Sequence, residues 1–135
     1  MIAPDTSVTI AAAAPWHVAH QSAVSALAAT KPALIAHVAF ETTAALSRMP
    51  QGQRLAPATV LEWLERRFPN EWLSLPATAS RDALSTAIAH GIRGGALYDA
   101  LIGATATHHG HQLLSADRRA ARTYAALNID AVFLP

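Results

Sequence analysis

The feature that most constrains this chain is an alternation of short apolar runs with longer helical patterns. Met1–Pro4, Ala33–Ala36, Trp72–Leu75, Gln112–Ser115 and Ala131–Leu134 are too short for helices and read as strands. Between them, Ser7–Ala14, Trp16–Thr30, Val38–Arg48, Pro57–Phe68, Ser80–His90, Ala96–His109 and Arg118–Asn128 read as helices. The punctuation supports these bounds. Pro57 occupies a first helical turn, where its missing N–H costs nothing. Ser80 suits an N-cap, while Gly91 and Gly110 suit helix ends. Strands alternating with helices predict βαβ units, hence an α/β fold with a mostly parallel sheet covered on both faces. Ligands of such folds bind beyond the carboxyl ends of the strands, which is where chemistry is to be sought.

At 135 residues the chain has the length of one domain, taken as residues 1–135. It contains no cysteine, which excludes a disulfide scaffold, thiolate metal ligands and a Cys nucleophile. Charged residues make up 14% and hydrophobic ones 52%, the reverse of a disordered chain. The formal net charge of +1 gives no bulk argument for nucleic-acid binding, so any such binding must come from local placement. The opening MIAPDTSVTIAAAAPW has Asp5 where a signal peptide needs a positive charge. No apolar run reaches the length of a membrane span. A cytoplasmic protein without membrane contact is the expectation.

The nine acidic residues divide by their surroundings. Glu62, with Arg66 four residues on, and Glu65, Glu71, Asp82 and Asp130 sit among polar neighbours and read as solvated. Asp5 and Asp117 each follow a predicted strand. Glu41 and Asp99 lie on apolar helix faces, where a carboxylate must lose water or find a partner. Taken singly, Asp5 and Asp117 can be read as N-caps, and Glu41 as a charge near a helix start. Asp99, within ALYDALIGATA, has no such plain role. All four can be placed at one end of one sheet. A cluster of like charges needs neutralising, and oxygen ligands without thiolate suit hard cations such as Mg²⁺ or Mn²⁺. Such ions polarise phosphodiesters and activate water, which favours phosphodiester hydrolysis.

At these residues the sequence resembles the PIN-domain nucleases, specifically the VapC-type toxins of bacterial toxin–antitoxin pairs. Pro4-Asp5-Thr6-Ser7 is similar to the family's strand-end Asp-x-Ser/Thr. HVAFETTAALSR carries Glu41 like its second acid, GIRGGALYDALIGATA carries Asp99 like its third, and LLSADRRA carries Ser115 and Asp117 like its last. Ala116 departs from the polar residue often found there. The resemblance implies a three-layer α/β/α sandwich and a Mg²⁺- or Mn²⁺-dependent endoribonuclease that is silenced by a cognate antitoxin and forms a homodimer. By carry-over, Asp5, Glu41, Asp99 and Asp117 are the catalytic metal-site acids, and Ser7 and Ser115 support them.

Arg119 and Arg122, with Arg118 on another face, follow Asp117 and are candidates for holding RNA phosphates, as is Arg93. Otherwise they are solvated charges. His17 with His20, and His108, His109 and His111, are the groups to weigh for zinc, but a closed site needs four ligands in one array. Trp63, Phe68 and Trp72 read as core, or else, with Trp16, as an exposed groove for a partner helix. Two competing functions are an inert PIN-like module that binds RNA or protein, and a phosphatase with Asp5 as nucleophile. The latter lacks a second Asp two positions on, where Ser7 stands.

Overall fold

The computed structural model describes residues 1–135. Its strands are β1 (Ile2–Pro4), β2 (Gln112–Ser115) and β3 (Ala131–Phe133). Its helices are α1 (Thr6–Ala13), α2 (His20–Ala28), α3 (Ala36–Ser47), α4 (Pro57–Arg67), α5 (Ala77–Ala89), α6 (Ala96–His108) and α7 (Ala121–Ala126). A 3₁₀ turn over Arg118–Ala120 leads into α7. The strands pair in parallel in the order β1-β2-β3, with Ile2 opposite Gln112 and Leu113 opposite Ala131. This is the expected α/β class. Central strand β2 is the most deeply buried, with Leu113, Leu114 and Ser115 all inside, while Pro4 sits in an outer strand, where a missing N–H is tolerated.

Two predicted strands are reduced to a single bridge. Ile35 pairs with Leu73, and Ala33–Ala36 and Trp72–Leu75 form no longer ladder. They still lie in line with the sheet. The Ala33 N–H donates to Ile2 O, the Leu73 N–H to Leu34 O and the Ala36 N–H to Leu73 O. Proline explains the shortness: Pro32 brings no N–H to the first segment, Pro76 closes the second, and α3 already begins at Ala36.

Three helix starts differ from expectation by three residues or more. The predicted Trp16–Thr30 helix is confined to His20–Ala28. Helix α5 begins at Ala77 behind Pro76, so Ser80 is no cap and its hydroxyl donates to Leu75 O. The last helix is split into the 3₁₀ turn and α7. The predicted stops hold: Gly91 and Gly110 adopt φ of 74° and 72°. Beyond each, the next N–H reaches back to the helix, Ile92 to Ala87 O and His111 to Ala106 O, satisfying carbonyls that the helix end leaves free.

The core joins Val8 and Ala11 of α1, Leu27 of α2, Val38 and Leu46 of α3, Val60 and Leu64 of α4, Ile102 and Ala106 of α6, and Leu113 of β2. Phe68 belongs to it, and Trp63 and Trp72 pack against its edge. Within α6, Ala100, Ile102, Gly103, Thr105 and Ala106 are all buried, which fixes the direction in which Asp99, one turn earlier, must point.

Candidate active site

The carboxyl ends of β1 and β2 set two of the four acids side by side. Asp5 directly follows β1, and its N–H donates to Leu114 O of β2 at 2.8 Å. Its side chain caps α1, accepting from the Ser7 and Val8 N–H groups and from the Ser7 hydroxyl. Capping is therefore part of what Asp5 does, but not all. Its second oxygen, Oδ2, accepts from the Tyr124 hydroxyl of α7 at 2.8 Å. Burial pushes the Asp5 carboxyl up from its usual range, against the pull of these hydrogen bonds. The Tyr124 hydroxyl is raised as well, by burial and by the Asp5 charge it faces.

Asp117 lies two residues past β2. Its Oδ1 caps the 3₁₀ turn through the Arg119 N–H at 3.0 Å and also accepts from Arg119 Nε at 3.1 Å. Two serines tie the Asp5 and Asp117 segments together. The Ser7 hydroxyl accepts from the Ala116 N–H at 2.8 Å, and Ser115 Oγ accepts from the Asp117 N–H at 3.1 Å. The two hydroxyls stand 3.5 Å apart. Ser7 and Ser115 thus fix the loops that carry the acids.

Glu41 comes from the middle of α3. Its Oε1 accepts from the Thr6 hydroxyl at 2.7 Å, which brings α3 up against the start of α1. Deeper along the same contact, the hydroxyls of Thr9 and Thr42 meet at 2.6 Å. His37, one turn before Glu41, places its Nε2 3.7 Å from Glu41 Oε2.

Asp99, in the first turn of α6, completes the group. It belongs to neither of the two ion pairs of the structure. Its carboxyl is pushed up to about 6, first by burial and then by the negative charges of Asp5, Glu41 and Asp117. One half-buried acid thus feels the other three, and no Lys or Arg answers them apart from Arg119 at the outer edge. The donor set is oxygen-only, which fits a hard divalent cation. The side chains are not drawn together into a closed cage of three or more ligands. Each of Asp5, Glu41 and Asp117 is instead held by its own donors.

The remaining candidates are scattered. Arg93 and Arg122 are exposed. Arg118 lies 5.4 Å from the centre of the Phe133 ring. The histidines serve backbone groups: Nδ1 of His17 accepts from the Ala19 N–H, His20 bonds Ala11 O, and His109 bonds Ser74 O. The five acids read as solvated are all exposed, with Asp130 accepting from Gln112. Trp72 lines an apolar groove of about 500 Å³ between α3 and α4, together with exposed Phe40 and Leu61.

Sequence reasoning missed Thr6, His37 and Tyr124. His37 had a visible signal, since it precedes Glu41 by four residues and so shares its helix face. Tyr124 had none, because 119 residues separate it from Asp5.

A group of carboxylates at the carboxyl edge of a short parallel sheet defines a class. The PIN-domain family model matches residues 2–126, and the chain belongs to that family. Among its relatives, Ribonuclease VapC40 of Mycobacterium tuberculosis is 43% identical over 130 residues, 96% of each chain. Ribonuclease VapC27 of the same organism is 36% identical over 132 residues, covering 97% of this chain and 95% of that one. The crystal structure of VapBC2 from Rickettsia felis, bound to a DNA fragment from their promoter, matches along the full length of both chains. Its TM-score is 0.71 at 16% identity, a likeness of fold. No helix is long and apolar enough to cross a membrane.

Proposed function

We propose that the protein is the ribonuclease toxin of a toxin–antitoxin pair, and that it hydrolyses RNA phosphodiester bonds internally at the cleft of Asp5, Glu41, Asp99 and Asp117. The single observation that carries this reading is the state of Asp99. Three other carboxylates raise it, and the only Lys or Arg paired with any of them is Arg119, on Asp117. Its relatedness to the VapC ribonucleases supports the same chemistry.

The four acids are the residues that would hold Mg²⁺ or Mn²⁺. When bound, a hard divalent ion acts as a Lewis acid toward a phosphate oxygen and lowers the pKa of water. The chain's own part is preorganisation. Ser7, Val8 and Tyr124 immobilise Asp5. Thr6 aims Glu41. Arg119 engages Oδ1 of Asp117. Burial strengthens every charge interaction in the cleft relative to water.

An antitoxin is the protein partner in this reading. The apolar groove of Phe40, Leu61 and Trp72 between α3 and α4 is the surface this reading offers to it. Exposed Leu84 and Ile88 of α5 offer an apolar face for a second copy in a homodimer.

Incubating the purified protein with RNA in Mg²⁺ or Mn²⁺ tests the activity. Cleavage that stops with a chelator and is lost in Asp99→Asn supports the reading. An Asp99→Asn protein that cuts RNA as wild type does overturns the site.

A further inference from the structure

The acidic cleft poses a problem for any ribonuclease, and this inference rests on that reading. Until a cation neutralises them, four carboxylates repel the phosphates of a substrate. The arginine nearest to them, Arg119, is already engaged with Asp117. An uncharged contact would hold RNA at this point without adding to that repulsion. One stands beside the cleft. The rings of His37 and Tyr98 lie 5.2 Å apart and within 11° of parallel. His37 adjoins Glu41, and Tyr98 directly precedes Asp99, so the stack is bonded into the two helices that supply two of the four acids.

Tyr98 is 53% exposed, whereas Ala100, Ile102 and Gly103 further along α6 are buried. The His37 side chain is partly exposed. Its Nε2 is buried and makes no hydrogen bond. Single-stranded RNA is held by stacking its unpaired bases on such rings, and the contact is indifferent to the repulsion that phosphates feel.

We propose that the His37–Tyr98 stack is a platform on which an unpaired nucleobase of the RNA rests while the adjoining phosphate reaches the carboxylates. Tyr98 is then a positioning residue for the reaction. The contact acts on binding more than on bond cleavage.

The test compares Tyr98→Leu, which keeps apolar bulk but removes the aromatic face, with Tyr98→Phe and Tyr98→Trp, which keep it. Each full-length variant is assayed for kcat and KM on a single-stranded oligoribonucleotide that the wild-type protein cleaves. The same RNA carrying 2-aminopurine reports stacking through loss of fluorescence. For Tyr98→Leu, KM should rise about tenfold to a hundredfold with kcat within about threefold, and the quenching should vanish. Tyr98→Phe and Tyr98→Trp should restore both. The platform is overturned if Tyr98→Leu keeps the wild-type KM and quenching, or if Tyr98→Phe fails as badly as Leu. It is equally overturned if Tyr98→Leu only converts a dimer into monomers, which would make the ring a contact between copies. A wild-type protein that cleaves no RNA would instead remove the ribonuclease reading itself.

Discussion

Asp99 is an acid whose charged form the fold disfavours. Its carboxyl moves from an ordinary 3.8 to about 6, by burial and by its acidic neighbours. Between those values the folded chain binds more protons than the unfolded one. Stability therefore declines as pH rises through this window, and the loss is complete above it. Removing the charge should reverse the effect. Without divalent ions, Asp99→Asn should be more stable than wild type at pH 7.5 by about 1 kcal/mol, a value discounted because the group is only half-buried. Below pH 3.8 the difference should vanish, and thermal melts at the two pH values check this. Tyr124 presents the opposite case, since its hydroxyl satisfies the buried Asp5 Oδ2. Tyr124→Phe leaves that oxygen unpaired and should cost about 1–3 kcal/mol in denaturant unfolding.

At the scale of elements, α6 both carries Asp99 and packs against the loop after α7. Gly103 sits against Ile129 of that loop. A Cβ there would stand 2.2 Å from Ile129 Cδ1 and 2.9 Å from Cγ1. Alanine improves helix propensity by roughly 1 kcal/mol, but the overlap costs about 1–3 kcal/mol. Gly103→Ala should therefore lower the melting temperature, and Ile129→Ala should make the change at Gly103 harmless or favourable. Elements with strong local signals were legible in the sequence: Pro57 opens α4, and Gly91 and Gly110 close α5 and α6. The Ala33–Ala36 and Trp72–Leu75 strands were overdrawn. Apolar composition marks a segment as buried beside the sheet, yet ladder length depends on available N–H groups and on where the next helix begins, which Pro32 and Pro76 limit.

At the scale of the molecule, only Asp99 stood in a place without a plain local reading; Asp5, Asp117 and Glu41 also read as caps or a helix-start charge, and what singled them out was that all four could be placed at one end of one sheet. Their supports were less legible. Thr6 reaches Glu41 across 35 residues and Tyr124 reaches Asp5 across 119. Such pairings follow from how α1, α3 and α7 pack, and no short spacing encodes them. Arg119, singled out for RNA phosphates, proved to be bonded to Asp117. Arg119→Ala should therefore leave Asp117 freer and weaken RNA binding by less than about tenfold, as expected for an exposed ion pair, in a filter-binding titration.

Calorimetric titration of Mn²⁺ into the wild-type protein and into Asp5→Asn, Glu41→Gln, Asp99→Asn and Asp117→Asn asks most directly whether the four carboxylates work as one. Saturable uptake by wild type, weakened at least about tenfold in every variant that remains folded, is the expected result. Uptake absent from wild type, or unchanged when any one of these acids is neutralised, would contradict a shared site.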